Sequence, residues 1–181
     1  MSVPDNPAPH DIGPVEYSDA AMRYASSIED GVDASHMRLG INLVRAANVF
    51  VGVSERRVHR PKGLSWSGFS AMFALSVFDA LEARTISRLI GVTRQATSVV
   101  LATLERKGLI TRKRPRDADG RLLTVRLTDE GRRIAREAVT EQNLLVERWF
   151  APLTDDERAQ LDRLLEKLVN HGDAADEADR S

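Results

Sequence analysis

The sequence predicts a mainly α-helical fold with one small β-hairpin, and three observations carry that prediction. Between Glu82 and Leu127 two helical patterns follow in tight succession, Thr85 to Ile90 and Thr93 to about Lys107, each closed by a glycine, Gly91 and Gly108. Two short strand patterns come next, Leu109 to Arg114 and Leu122 to Leu127, joined by the polar loop Pro115 to Arg121. Long amphipathic stretches lie on both sides. Two helices, a turn and a basic hairpin are the outline of a winged helix-turn-helix head, and the flanking helices suit a helical dimerisation region.

In chain order, Met1 to Pro14 carries four Pro and little apolar material, the composition of a flexible tail. From Val15 to Asp33 a weak helix is expected, with Tyr17, Ala21, Tyr24 and Ile28 at helical spacing. Ala34 to Arg60 reads as one long helix, with Met37, Ile41, Val44, Val51 and Val58 in a stripe and Leu43, Ala47 and Phe50 beside it. So broad a stripe can serve its own subunit and a partner. Pro61-Lys62-Gly63 ends it.

Ser65 is placed to cap a helix running to about Leu81. Trp66, Phe69, Met72 and Phe73 make it the largest aromatic cluster in a chain with 5% aromatic residues. Such a cluster is either one wall of a small-ligand pocket or plain core. Arg45, Asn48 and His59 are the polar groups that could join it from the preceding helix.

Gly91 can take the left-handed conformation that ends a helix, and Thr93 suits the cap of the next. Ile86, Leu89, Ile90, Thr97, Val100, Leu101 and Leu104 recur at three- and four-residue spacing and define an inward face. Arg94, Gln95 and Ser98 fall outside it near the helix N-terminus, where a recognition helix meets the major groove. Arg matches the acceptors of guanine and Gln the edge of adenine. Thr93 and Thr97 complete the candidate major-groove set. In the hairpin, Arg112, Lys113 and Arg116 are candidates for phosphate contacts. Asp119 sits beside Arg121 where a carboxylate can orient a guanidinium for a narrow minor groove.

After the hairpin, Thr128-Asp129-Glu130 opens a helix to about Phe150, with acids in its first turn to suit the helix dipole. Pro152 breaks it, and Thr154 with Glu157 forms a capping box for a last helix carrying Leu161, Leu164, Leu165, Leu168 and Val169. From His171 the chain reads as an acidic, mobile tail.

Gly91-Val92-Thr93, Leu104-Glu105-Arg106-Lys107-Gly108-Leu109-Ile110, Asp119-Gly120-Arg121 and Val125 to Gly131 occur in order and at spacings that resemble the multiple-antibiotic-resistance regulator (MarR) family. The resemblance spans roughly Arg38 to Val169. Two positions depart from it: Ser87 stands where the family often has Ala, and Thr97 where it often has an apolar β-branched residue. A polar Thr97 is thereby free to turn outward. The resemblance implies an obligate homodimer, a winged head on each subunit, a palindromic double-stranded operator and release by a small anionic, aromatic or phenolic effector. It also places the effector pocket between the dimer helices and the head. An effector-independent regulator or activator is the alternative.

The expected division is a tail over 1–14, N-terminal dimerisation helices over 15–60, the winged head over 61–127, C-terminal dimerisation helices over 128–170 and an acidic tail over 171–181. Charge is segregated to match. A formal net charge of −1 hides a balance of −6 over residues 1–35, +12 over 36–136 and −7 over 137–181. The central cations are the footprint of a polyanionic partner. The absence of Cys rules out disulfides and thiol redox sensing. No apolar run approaches the roughly 18 residues of a membrane span, so a cytoplasmic protein is expected. The four His, at positions 10, 36, 59 and 171, are scattered, and no HExxH, P-loop or GxSxG occurs. No catalytic residues, metal site or cofactor are therefore expected.

Overall fold

The structure, a computed structural model, describes residues 13–28, 34–113 and 123–178. The chain divides into two compact units, Met1–Val53 and Ser54–Ser181.

The first unit holds α1 (Pro14–Ile28) and nearly all of α2 (Ala34–Ser54). Arg38 donates to the Asp19 carboxylate at 2.9 Å and ties the two helices. The buried stripe of α1 is Ser18, Met22 and Ala25. Tyr17, Tyr24 and Ile28, which share the expected helical spacing, are exposed in the single chain. Small side chains and one flexible Met allow closer approach than two tyrosines would. On α2, Ile41 and Val51 of the expected stripe are partly buried, and Met37, Leu43 and Val44 are exposed in the single chain. The expected tail lies outside the described residues up to position 12, and Pro14 is the first residue of α1.

The second unit opens with a π-helical turn, Glu55–His59, and a 3-10 turn, Arg60–Lys62, so the long helix expected to reach Arg60 changes its winding after Ser54. A π turn advances the side chains relative to regular α spacing, and Val58 and His59 are both buried there. Glu55 then accepts from the backbone N–H of Trp66 at 2.8 Å, while Ser65 accepts from Gly68 at 3.1 Å. Together they satisfy the N-terminus of α3 (Trp66–Phe78).

α3 stops at Phe78 rather than at Leu81. Asp79 takes a φ of 56°, and the chain then forms a strand the sequence pattern did not signal, β1 (Ala80–Glu82). β1 owes its identity to a partner: it pairs antiparallel with β3 (Thr124–Leu127), which pairs on its other side with β2 (Ile110–Lys113), giving the order β1-β3-β2. Between β1 and β2 lie α4 (Ala83–Ile90) and α5 (Arg94–Arg106). Beyond β3, Thr128 caps α6 (Asp129–Phe150), and Thr154 with Glu157 caps α7 (Asp155–Ala178) through reciprocal hydrogen bonds of 2.8 and 3.3 Å. α7 runs through Ala178, so the acidic end expected to be a loose tail is helical up to there.

One core joins α3 to α6 with the sheet. Met72 and Leu75 of α3, Ile86 of α4, Leu101 and Leu104 of α5, Ile110 and Val125 of the sheet, and Ala135 and Ala138 of α6 form a single buried cluster. Leu89, expected in that core, is 48% exposed. No helix among the described residues is long and apolar enough to cross a membrane.

Candidate nucleic-acid interface

The turn between α4 and α5 sets the geometry. Gly91 closes α4 at φ 66°, a conformation costly for any residue with a Cβ, and Val92 N–H returns to the Ser87 carbonyl at 3.2 Å. Thr93 then accepts from Ala96 N–H at 3.2 Å and fixes the start of α5. Arg94, Gln95, Ser98 and Val99 all emerge exposed within the first two turns. Their side chains stand at the helix end where unpaired N–H groups and the dipole favour an anion.

Thr97 does not belong with them. It is 1% exposed, and its hydroxyl donates to the Thr93 carbonyl at 3.0 Å. Internal bonding satisfies the hydroxyl, so it packs where the apolar periodicity requires and cannot reach a base. Val99 was not singled out from sequence. It is the large apolar residue exposed on this face, and its signal was its position four residues beyond Gln95.

The cations of the head divide into engaged and free. Arg112 lies 3.0 Å from the Glu105 carboxylate and is partly buried, although its Nε makes no well-directed hydrogen bond. Arg126 and Arg132 both contact Asp79. Lys107 donates to the Gly63 carbonyl. By contrast Arg88, Arg94, Arg106 and Lys113 are exposed and have no ion pair among the described residues. The hairpin tip, with Arg116, Asp119 and Arg121, lies outside the described residues.

The candidate effector residues fall into two groups. His59, Trp66, Phe69 and Phe73 do come together. His59 stacks on Phe69 with centroids 4.3 Å apart and planes at 15°, and Phe69 stacks on Phe73 at 6.1 Å and 16°. Trp66 leans on both His59 and Phe69, at 5.6 and 6.0 Å. His59 is fully buried, whereas Phe73 is 47% exposed, so the row runs from core to surface. Arg45 and Asn48 are exposed on α2 in the first unit.

Gln142 of α6 donates to the Ser54 hydroxyl at 3.1 Å, yet its Oε1 and both ring nitrogens of His59 lack a well-formed hydrogen bond. Burial holds the His59 pKa below the ordinary histidine value, opposed in part by neighbouring Gln142 and the Glu55 carboxylate, while Lys62 adds to the lowering.

The chain is similar to known proteins. A model of the MarR family matches residues 62–122. The HTH-type transcriptional regulator YwaE of Bacillus subtilis is 32% identical over 142 residues, covering 78% of this chain and 82% of that protein. The HTH-type transcriptional repressor Rv2887 of Mycobacterium tuberculosis is 33% identical over 108 residues, covering 60% of this chain and 77% of that protein. The crystal structure of the PcaV transcriptional regulator from Streptomyces coelicolor, in complex with its natural ligand, is 26% identical with a TM-score of 0.64, covering 77% of this chain and 96% of that one.

Proposed function

This chain belongs to the MarR family of transcriptional regulators, and on that premise we propose that it is a homodimeric repressor which binds a palindromic operator and is released by a small aromatic or phenolic acid. The observation that carries the DNA-reading part is the exposed set Arg94, Gln95 and Ser98 at the capped start of α5. Each head inserts this end of α5 into a major groove, with Arg94 suited to guanine and Gln95 to adenine. Lys113, Arg116 and Arg121 of the hairpin serve the adjoining backbone and minor groove, and Asp119 orients Arg121. Arg112 contributes less than a free cation because Glu105 already neutralises it.

The dimer is supported by apolar surface that a single chain leaves exposed: Leu43, Val44 and Val49 on α2 and Leu164, Leu168 and Val169 on α7. Two-fold symmetry of the protein requires a two-fold operator, with half-sites about 10 base pairs apart. The effector reading rests on the stacked row ending at exposed Phe73, which offers an aromatic ring an offset-stacking partner. The orphaned Gln142 Oε1 and His59 nitrogens supply polar groups near the buried end. An effector acts only if it binds the DNA-competent and DNA-incompetent states unequally. The regulator works in the cytoplasm, where the DNA is, and needs no catalysis or cofactor.

The test is a gel shift on DNA flanking the gene, across a salt series and with competitor DNA, followed by titration of aromatic acids. A competitor-resistant complex that weakens with salt and dissociates with one acid class is expected. A complex that no such acid weakens would leave an effector-independent regulator. Binding abolished by competitor, on flanking DNA and on sites selected from random sequence, would remove sequence-specific recognition.

A further inference from the structure

The hairpin and α6 are joined by one residue. β3 ends at Leu127, α6 begins at Asp129, and Thr128 alone lies between them. One side of this joint is braced by the turn between α5 and β2: Thr128 N–H donates to the Leu109 carbonyl at 3.0 Å and its hydroxyl to the Gly108 carbonyl at 2.7 Å. The other side is held by a single carboxylate. Asp79 accepts from Arg126, two residues before the joint, and from Arg132, four residues after it, at 3.4 Å in the second case. Arg132 also lies 3.7 Å from Asp129.

Asp79 is in place for this because of its backbone. Its φ of 56° makes it the only described non-glycine residue with positive φ. That conformation turns the chain from α3 into β1 and sets Ala80 opposite Arg126 in the ladder. An Asp tolerates positive φ better than most side chains, but a residue held there off a helix end marks a constraint worth a functional reading.

We propose that Asp79 is a positioning residue for DNA recognition: by gripping Arg126 and Arg132 on either side of Thr128, it sets the pitch of the β2–β3 hairpin against α6. The inference deepens the proposed function and rests on its reading that the hairpin meets DNA. A change of pitch at Thr128 moves the far described rung of the ladder, Lys113 opposite Thr124, more than its base, and misplacement there costs contacts without unfolding the core. Arg126 and Arg132 are nearly half exposed and Asp79 about two-thirds, so their pairing adds little to overall stability. Orientation, not stability, is what Asp79 supplies.

The test compares full-length Asp79→Asn and Asp79→Gly with the unaltered protein and with Arg121→Ala. Asn keeps the size and shape of Asp, and Gly suits φ 56° outright, but neither has a carboxylate. Both should lose roughly five- to tenfold in operator affinity, the size of one or two exposed ion pairs. Affinity for competitor DNA should hold or rise, because two arginines are released. Hydrogen exchange should quicken at the amides of β2 and β3 and stay unchanged in α3 and α5. A purely structural role would instead lower operator and competitor binding together with the melting temperature, and that result overturns the inference. So does unaltered operator affinity in Asp79→Asn when Arg121→Ala binds weakly. If Asp79→Gly keeps full discrimination, the turn and not the carboxylate does the positioning, and the inference fails. If Arg121→Ala has no effect, the hairpin's role in DNA binding falls first and takes the clamp with it.

Discussion

A Cβ on Gly131, in the first turn of α6, would stand 2.0 Å from the carbonyl oxygen of Leu109, where α5 hands over to β2. Backbone meets backbone there, and neither side has a flexible atom to move. Gly131→Ala must push α6 away from the head, which also strains the Thr128 cap at 3.0 Å. A loss of roughly 3 kcal/mol is expected, typical of overpacking a rigid site. Urea unfolding checks it: a shift below about 0.5 kcal/mol, the range of ordinary surface changes, would mean the contact relaxes freely.

Thr97 and Ser98 are neighbours with opposite fates. Thr97 faces the core and Ser98 faces out. Thr97→Val keeps the shape and loses one hydrogen bond whose acceptor, the Thr93 carbonyl, still receives the helix N–H at 2.9 Å. It should leave operator affinity unchanged. Arg94→Ala and Gln95→Ala should each cost about 1–3 kcal/mol of discrimination at one base pair. Fluorescence anisotropy on single-base operator variants separates these outcomes, and equal losses for Thr97→Val and Arg94→Ala would contradict the assigned faces.

His59 makes stability depend on pH in a definite direction. Burial keeps its folded pKa below the unfolded value of about 6.5. Below that pH the unfolded chain takes up a proton that the folded chain resists, so the unfolded state binds more protons and stability rises with pH through this window. The contribution is whole above about pH 6.5 and is lost as the solution is acidified toward the folded pKa. His59→Phe keeps the stack on Phe69 and removes two orphaned nitrogens. The stability drawn from its denaturation curves should change with a smaller slope against pH, between pH 5 and pH 7.5, than that of the unaltered protein. Superimposable slopes would show that His59 titrates alike in both states.

The exposed leucines of α7 make the dimer testable without DNA. Leu164→Glu and Leu168→Glu place a charge on surface that the proposed partner covers. Light scattering should report a monomer at concentrations where the unaltered protein is dimeric, and operator affinity should fall with it, because two half-sites are no longer bound together. A dimer that survives both substitutions would locate the interface elsewhere.

Local chemistry made much of this molecule legible. Thr93, Thr128 and the Thr154–Glu157 pair all cap the helices expected of them, since a cap needs only the next three residues. β1 was hidden for the converse reason. Ala80-Leu81-Glu82 has no strand pattern of its own and becomes one by pairing with residues more than 40 positions later. Thr97 misled because a hydroxyl suggests an outward face, while a bond to the preceding turn removes the need for one. Charge counting found the basic head but could not tell a free cation from one held by Glu105 or Asp79. Spacing located α1, but only the structure shows that Ser18, Met22 and Ala25 are the residues buried within the single chain.

Among the described residues the last rung of the hairpin ladder is Lys113 opposite Thr124. All that the core demands of the hairpin is met by that rung. Residues inserted or deleted beyond it leave the ladder and the buried cluster untouched, and doubling such a loop costs only about 0.6 kcal/mol in closure entropy. Under the proposed function, a hairpin of changed length would alter operator preference without disturbing the fold. That is an evolutionary freedom which the reading helix, packed along its whole inner face, does not have.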